Sequence, residues 1–224
     1  MIVALVAQIA WQAAAPKPAG AASELSRPLD SSVLRVLSFG EPIAFAELLV
    51  LYLQAFDNQP GISVPFRDLD YDAVEAWLQT ALELDPSSQY PLMMAAHLYA
   101  QVPDDAKRRR MLAFVHRQYL RDPERRWRWL AHAAIIAKHR LKDMPLALSY
   151  AEDITRHSKS AQSWAKQMRI FILEDMGETE SAAVLLGGLL AGGEVTDSAE
   201  IHFLTERLAA LQAAEKSSKP SEFR

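Results

Sequence analysis

YDAVEAWLQTALELDP, residues 71–86, is the stretch that decides the fold. Its apolar side chains recur at intervals of three and four residues, which places Val74, Leu78 and Ala81 on one side of the segment. That spacing follows the turn of an α-helix, roughly 3.6 residues, and the proline that closes the stretch cannot continue a helix. The stretch therefore predicts an amphipathic helix that buries one face against a neighbour.

The same kind of segment recurs along the chain. Residues 141–154 (LKDMPLALSYAEDI) and 177–190 (GETESAAVLLGGLL) repeat its pattern. The equivalent positions, 37, 36 and 35 residues apart, are Val74, Met111, Ala147 and Ala182. A unit of two helices cannot bury its apolar stripe alone, so a period of this length is typical of stacked helical hairpins.

Helix and break alternate between residues 41 and 213. Asp, Ser or Pro marks the breaks, and no run of alternating β-branched residues predicts a sheet. The predicted helices are 41–56, 71–84, 89–101, 104–121, 124–140, 144–157, 160–176, 178–191 and 197–213. The sequence therefore predicts an all-α protein.

These features resemble the tetratricopeptide repeat (TPR) family. Residues 71–86 resemble the second helix of a repeat, and Gly177 and Ala182 stand where the TPR pattern has its turn glycine and its small packing residue. The resemblance covers residues 41–191 and implies a TPR-like α-solenoid of about four antiparallel hairpins plus a terminal helix. The chain is also similar to a group of bacterial proteins with a short apolar N-terminus ahead of a TPR-like domain. Such a fold implies binding and no particular chemistry.

The chain ends predict a leader, a tether and a tail around the repeat domain, which spans residues 33–213. Residues 1–15 (MIVALVAQIAWQAAA) are apolar but short for a bilayer span, so they suit a cleaved leader, a short anchor or a leader that starts upstream. A helix buried in the protein or in a complex is the alternative. Residues 16–32, rich in Pro, Ala and Ser, predict a flexible tether, and residues 214–224 a disordered tail. The expected location is membrane-anchored or periplasmic in a bacterium, with the cytoplasm as the alternative.

No catalytic, cofactor or metal site is predicted. The chain has no cysteine, which excludes disulfides, Cys-ligated metals and a cysteine nucleophile. The sequence signatures of zinc proteases, serine hydrolases and phosphate-binding loops are missing. His132 and His139 share a predicted helix face, yet no third ligand accompanies them.

Positive charge is concentrated in residues 106–142. This segment carries twelve basic residues against two acidic ones, although the whole chain has a formal net charge of −4. Two of its clusters fall in the first turns of predicted helices, where cations oppose the helix dipole. The residues predicted to bind a partner are Lys107, Arg108, Arg109, Arg110, Arg125, Arg126, Arg128 and Trp129. The alternative, equally supported, is that these arginines pair internally with acidic residues of the flanking helices.

The sequence therefore predicts a non-catalytic protein–protein interaction scaffold or an accessory subunit of an assembly. Its expected partner is another protein, acidic in character, and membrane contact is expected through residues 1–15. The first alternative is a peripheral binder of membranes or anionic envelope polymers through residues 106–142, and the second is an enzyme whose site a partner completes. Nucleic acid is not expected, because the chain is acidic overall. A peptide groove should expose apolar and aromatic side chains on the first helices of the hairpins.

Overall fold

The computed structural model describes residues 4–6, 8, 11, 23–59, 62–193 and 195–218, with side chains in the last helix described as far as 213. Most of the predicted leader, 1–15, and residues 16–22 of the predicted tether lie outside these residues. Leu5, Val6 and Trp11 of the leader are described as helical and exposed.

The described chain is built almost entirely of helices. In chain order they are α1 (Ser31–Leu37), α2 (Pro42–Ala55), α3 (Tyr71–Leu84), α4 (Tyr90–Met93), α5 (Asp105–Tyr119), α6 (Pro123–His139), α7 (Met144–His157), α8 (Ser163–Asp175), α9 (Thr179–Ala191) and α10 (Ser198–Ser218). The strands found in the described residues, β1 (Asn58–Gln59) and β2 (Ile62–Ser63), form one short antiparallel ladder. The prediction of an all-α fold is confirmed. The last helix runs to Ser218, into the segment predicted as a disordered tail.

The helices begin where the local sequence supplies a cap. Asp30, Asp70, Asp104 and Asp143 each accept a hydrogen bond from a backbone N–H of the turn that follows. These carboxylates satisfy donors that a helix leaves unpaired, and they favour the positive end of its dipole. Proline lies in the first turn of α2, α4, α6 and α7, where its missing N–H costs no hydrogen bond.

α4 departs from the regular helix that the sequence predicts over residues 89–101. After Met93 the chain widens into a π-helical turn over Met94–Leu98 and then tightens into a 3-10 turn over Tyr99–Gln101. Met94 and its two alanine neighbours are all fully buried. Three consecutive buried residues span more than half of the helix circumference, so packing on several sides holds the irregular turn.

The chain divides into two compact units, of which the first is Met1–Ser87. In this unit α2 packs along α3, and α1 also contacts α3. Leu34, Ala46, Leu49 and Leu84 form a buried cluster, against which partly buried aromatic side chains pack.

Residues 23–30 precede α1 without regular structure, but the first unit holds them in place. Leu25 is buried, and the indole N–H of Trp77 donates a hydrogen bond of 2.8 Å to the carbonyl oxygen of Ser26. The backbone N–H of Ser23 donates to the side chain of Gln59. The later part of the segment predicted as a flexible tether is therefore anchored, and α1 begins within it.

The first unit exposes an extensive apolar surface just before α1, on α1, on α2 and in the turn between them. Its exposed side chains include Leu29, Val33, Val36, Leu37, Phe39, Ile43, Leu48, Leu51 and Tyr52. Phe39 is 93% exposed and has a φ of 50°, in the left-handed region. Within the described residues, no single helix has both the length and the apolar character to cross a bilayer. α1 and α2 meet that test only as a pair, with a bend of 113° between them.

The second unit, Ser88–Arg224, is a succession of helices in which each packs on the next from α5 to α10. Its buried side chains are mainly Ala, Leu, Ile and aromatic residues. Ile170, Ala182, Leu186 and Leu204 belong to a buried cluster that joins α8, α9 and α10.

Side chains of the second unit also join alternate helices. Between α5 and α7, Nε2 of His116 lies 2.6 Å from a carboxylate oxygen of Asp153, and the hydroxyl of Tyr119 donates to the carbonyl oxygen of Asp153. These pairs are 37 and 34 residues apart in sequence. Between α8 and α10, the hydroxyl of Ser163 donates to Glu200, 37 residues away. Helices one period apart therefore lie side by side.

Candidate functional site

Arg108 of α5, one of the predicted site residues, lies inside the second unit. Its side chain is 8% exposed, and its guanidinium donates to the carbonyl oxygens of Ala100 and Val102 and pairs with Asp105. The cation in the first turn of α5 is thus satisfied by acceptors of the preceding turn. Arg108 supports the junction between α4 and α5 and offers little charge to a partner.

The next residue along α5, Arg109, points to the surface. Its guanidinium pairs at 2.5 Å with Asp143, the cap of α7, and its side chain remains half exposed. This hydrogen bond, followed by that from the backbone of Leu146, lowers the pKa of Asp143. Lys107 is partly buried and Arg110 is exposed.

The arginines of α6 likewise include a buried and an exposed side chain. Arg126 is 3% exposed and donates to the carbonyl oxygen of Gln118 at 2.7 Å. Burial lowers the pKa of its guanidinium. Arg125 is exposed and lies 3.2 Å from the carboxylate of Asp122, which precedes the helix. The eight predicted site residues therefore do not form one open basic face, because Arg108 and Arg126 are buried.

Trp129, the last predicted site residue, belongs to a partly buried ring cluster. Its indole N–H donates to the side chain of Gln89 at 2.7 Å, and its ring meets His97 edge to face. His97 stacks on His132 with ring centroids 3.7 Å apart. Burial and then the neighbouring His97 lower the pKa of His132 to about 4. No group of three or more His, Asp or Glu side chains suited to a metal occurs among the described residues.

An apolar groove of about 200 Å³ lies between α6 and α8, the first helices of two successive hairpins. Trp164, Met168 and Phe171 line it from α8, at spacings of four and three residues that place them on one helix face. Ile135 lines it from α6. Ile135 is 42% exposed and Trp164 is 47% exposed, so these apolar side chains border the groove without being covered.

Charged groups lie at both ends of the groove. Lys138 lines it and pairs across it with Asp175 of α8. At the other end the ring of Trp164 lies 5.7 Å from that of Trp127, in an edge-to-face contact. The exposed guanidinium of Arg128 lies 5.3 Å from the centre of the Trp127 ring. The arrangement is an apolar centre with an ion pair at one end and an exposed arginine at the other, which suits binding.

Sequence reasoning did not single out this groove. None of the residues that line it, Ile135, Trp164, Met168 and Phe171, was predicted to bind a partner. Their spacing is the only sequence signal, and it is identical to that of a stripe buried in a core. Whether a neighbouring helix covers such a stripe depends on how the hairpins stack, which the spacing does not encode.

Comparisons with protein-family models, with curated proteins and with solved structures find no match for this chain. No activity is therefore transferred from a relative. The features that bear on function are the helical hairpins of the second unit and the apolar groove between α6 and α8.

Proposed function

We propose that the chain is a non-catalytic interaction scaffold built of TPR-like hairpins, and that it holds a segment of a partner protein in the groove between α6 and α8. The observation that carries this proposal is the pair of exposed side chains, Ile135 and Trp164, that border about 200 Å³ of open groove. Clustered apolar side chains with an exposed aromatic residue are a frequent mark of a protein-binding surface.

The spacing of contacts between alternate helices supports a repeat of the TPR kind. Contacts between α5 and α7 and between α8 and α10 join residues 34 to 37 positions apart. Neighbouring repeats of a solenoid meet in this way, because each repeat needs the next to cover its apolar stripe. Gly177 has a φ of 83° and Ala182 is fully buried, as expected for the turn and packing positions of the repeat.

Exposed apolar side chains on the first helices support the groove as the binding face. Polar groups join the second helices α5 and α7, where the hydroxyl of Tyr119 lies 2.8 Å from that of Ser158, the residue that follows α7. An ion pair of Lys138 and Asp175 joins the first helices α6 and α8, and these helices also leave the apolar side chains of Ile135 and Trp164 exposed. α10, the next first helix, exposes Ile201 and Phe203 as well.

The charges around the groove indicate the chemistry of the partner. Arg128, beside Trp127, and Arg140, which follows the groove-lining His139, are exposed, and no carboxylate forms an ion pair with either of them among the described residues. We expect the bound segment to carry an apolar or aromatic anchor flanked by Asp or Glu. Opposite charges at the rim of an interface mainly accelerate association, so binding should weaken as salt rises.

The alternative binder of anionic surfaces, acting through residues 106–142, has less support. Arg108 and Arg126 are buried, and Arg109 already has a carboxylate partner. The proposal retains attachment to, or export across, a bacterial membrane through residues 1–15, on the ground of their apolar composition.

The test is purification of the tagged full-length protein from its native membranes, with mass spectrometry of the proteins that accompany it. Ile135→Asp places a charge in the groove, and Val184→Asp, at a 69% exposed position of α9, is the matched control. We expect a stoichiometric protein partner that is lost with Ile135→Asp and retained with Val184→Asp. Equal retention by both variants would contradict the proposal.

A further inference from the structure

Arg169 of α8 is a cation without a described counterion. Its Nε–H group is buried and has no hydrogen-bond partner among the described residues. The side chain as a whole is only partly exposed. Burying such a group without an acceptor is unfavourable, and an unpaired buried donor often marks the place of a water molecule, an ion or a ligand.

Arg169 lines a cleft of about 370 Å³ between α7, α8 and α9, separate from the groove between α6 and α8. Lys166 lines the same cleft one helical turn away, and Thr155 adds a hydroxyl from α7. No carboxylate lines the cleft among the described residues. The polar end of the cleft is therefore positively charged, which favours an anion.

The rest of the cleft is apolar. α9 contributes Val184, Leu185 and Leu189, and α8 contributes Ile170. Gly188 also lines the cleft, and a Cβ added there would meet no atom within 4 Å. The absence of a side chain at this position thus leaves open space beside the apolar wall. The volume falls within the range of small-molecule sites, roughly 300–1,000 Å³.

We propose that this cleft binds a small amphipathic anion, with its carboxylate or phosphate head at Arg169 and Lys166 and its hydrocarbon tail against Val184, Leu185 and Leu189. A guanidinium binds either head group, because its N–H groups can donate hydrogen bonds to two oxygens at once. The inference is independent of the proposed scaffold function, since it uses no residue of the groove between α6 and α8.

The experiment is calorimetric titration of the full-length protein with decanoate and with decyl phosphate, each below its micelle concentration. Decanol tests the tail alone and inorganic phosphate the head alone. We expect saturable binding of at least one amphipathic anion, and much weaker binding of decanol and of phosphate. Preference between decanoate and decyl phosphate distinguishes a carboxylate ligand from a phosphate one.

Two variants test the assigned residues. Arg169→Met should weaken binding by about tenfold or more, because it removes a charged hydrogen-bond donor. Gly188→Leu should abolish binding by filling the open space, and it offers a second test if Arg169→Met fails to fold. Arg156→Met removes the same charge from α7 at an exposed position outside the cleft, and it should bind as the unaltered protein does.

Three results would overturn the proposal. They are binding of decanol as tight as that of the preferred anionic amphiphile, unchanged affinity in the folded Arg169→Met and Gly188→Leu variants, and the absence of binding by both anionic amphiphiles. Circular dichroism melts of each variant establish that the binding measurements compare folded proteins.

Discussion

At the scale of single residues, neighbouring arginines have opposite roles. Arg108 is enclosed by backbone carbonyls, whereas Arg109 extends to the surface and meets one carboxylate. A sequence count of basic residues treats them alike. Their difference comes from helix geometry, because adjacent positions lie about 100° apart on the helix and face different surroundings.

This difference predicts unequal effects on stability. Arg108→Ala should lower the free energy of unfolding by about 2–4 kcal/mol, because it leaves buried carbonyl groups unpaired. Arg109→Ala should cost about 0–1 kcal/mol, as expected for an exposed ion pair. Urea denaturation of the two variants measures both values. Equal losses would mean that the burial of Arg108 contributes nothing.

Protonation of His132 should make stability depend on pH. Its pKa is lowered from 6.5 to about 4 in the folded protein, so the unfolded chain binds the proton more tightly. The stabilising contribution is therefore complete above about pH 6.5 and is lost as the pH falls from there towards about 4.

His132→Phe should keep a ring in the stack with His97 and flatten this pH dependence. Melting temperatures measured between about pH 7 and pH 4 provide the test. The control is His202→Phe, since the His202 side chain is 76% exposed. An unchanged pH slope in His132→Phe, compared with the unaltered protein, would contradict the assignment.

At the scale of helices, local signals in the sequence predict most of the fold. Aspartate caps and first-turn prolines mark the observed starts of α2 to α7 and of α10, and every predicted start lies within three residues of the observed one. The starts of α8 and α9 carry neither signal. The π-helical turn at Met94–Leu98 has no such signal, since it results from packing on several sides of one helix. α1 was missed because its seven residues are too few to show a period.

Two glycines should respond in opposite directions to replacement by alanine. Gly177 has a φ of 83°, a backbone conformation that is unfavourable for residues with a side chain. A Cβ added there would nevertheless meet no atom within 4 Å. Gly177→Ala should therefore destabilise the protein by about 1 kcal/mol through the backbone alone. Gly188 lies within α9 with open space around it, so Gly188→Ala should stabilise by about 0.5–1 kcal/mol. Thermal melts compare the two, and effects of the same sign would contradict the account.

At the scale of the whole molecule, sequence reasoning could predict the period but not which apolar stripes stay open. Ile170 and Phe171 are neighbours on α8, yet Ile170 is buried within a cluster, whereas Phe171 packs against that cluster only partly buried and also lines the groove. Which side chains of a helix stay exposed depends on contacts between residues more than 30 positions apart in sequence, such as that of Gln167 with Glu200. The candidate groove therefore needed the folded arrangement to be recognised.

Deleting residues 198–224 should expose the cluster that α10 covers, including Ile170 and Leu186. Terminal elements of helical stacks cap the adjacent repeat, so the loss of local stability should be greatest in α8 and α9. Hydrogen exchange with mass spectrometry should show faster exchange there and little change around Tyr119, whose contacts lie in α7 and the turn that follows it. Uniformly faster hydrogen exchange across the second unit would show instead that this unit unfolds cooperatively as a whole.

We propose above all that a partner protein occupies the groove between α6 and α8. The most direct test of this proposal is photo-crosslinking in intact cells with a benzoyl-phenylalanine at position 164, in the groove, and at position 184, an exposed site on α9. The account predicts a discrete adduct with one protein from position 164 and none from position 184. No adduct from position 164, or the same adduct from both positions, would contradict it.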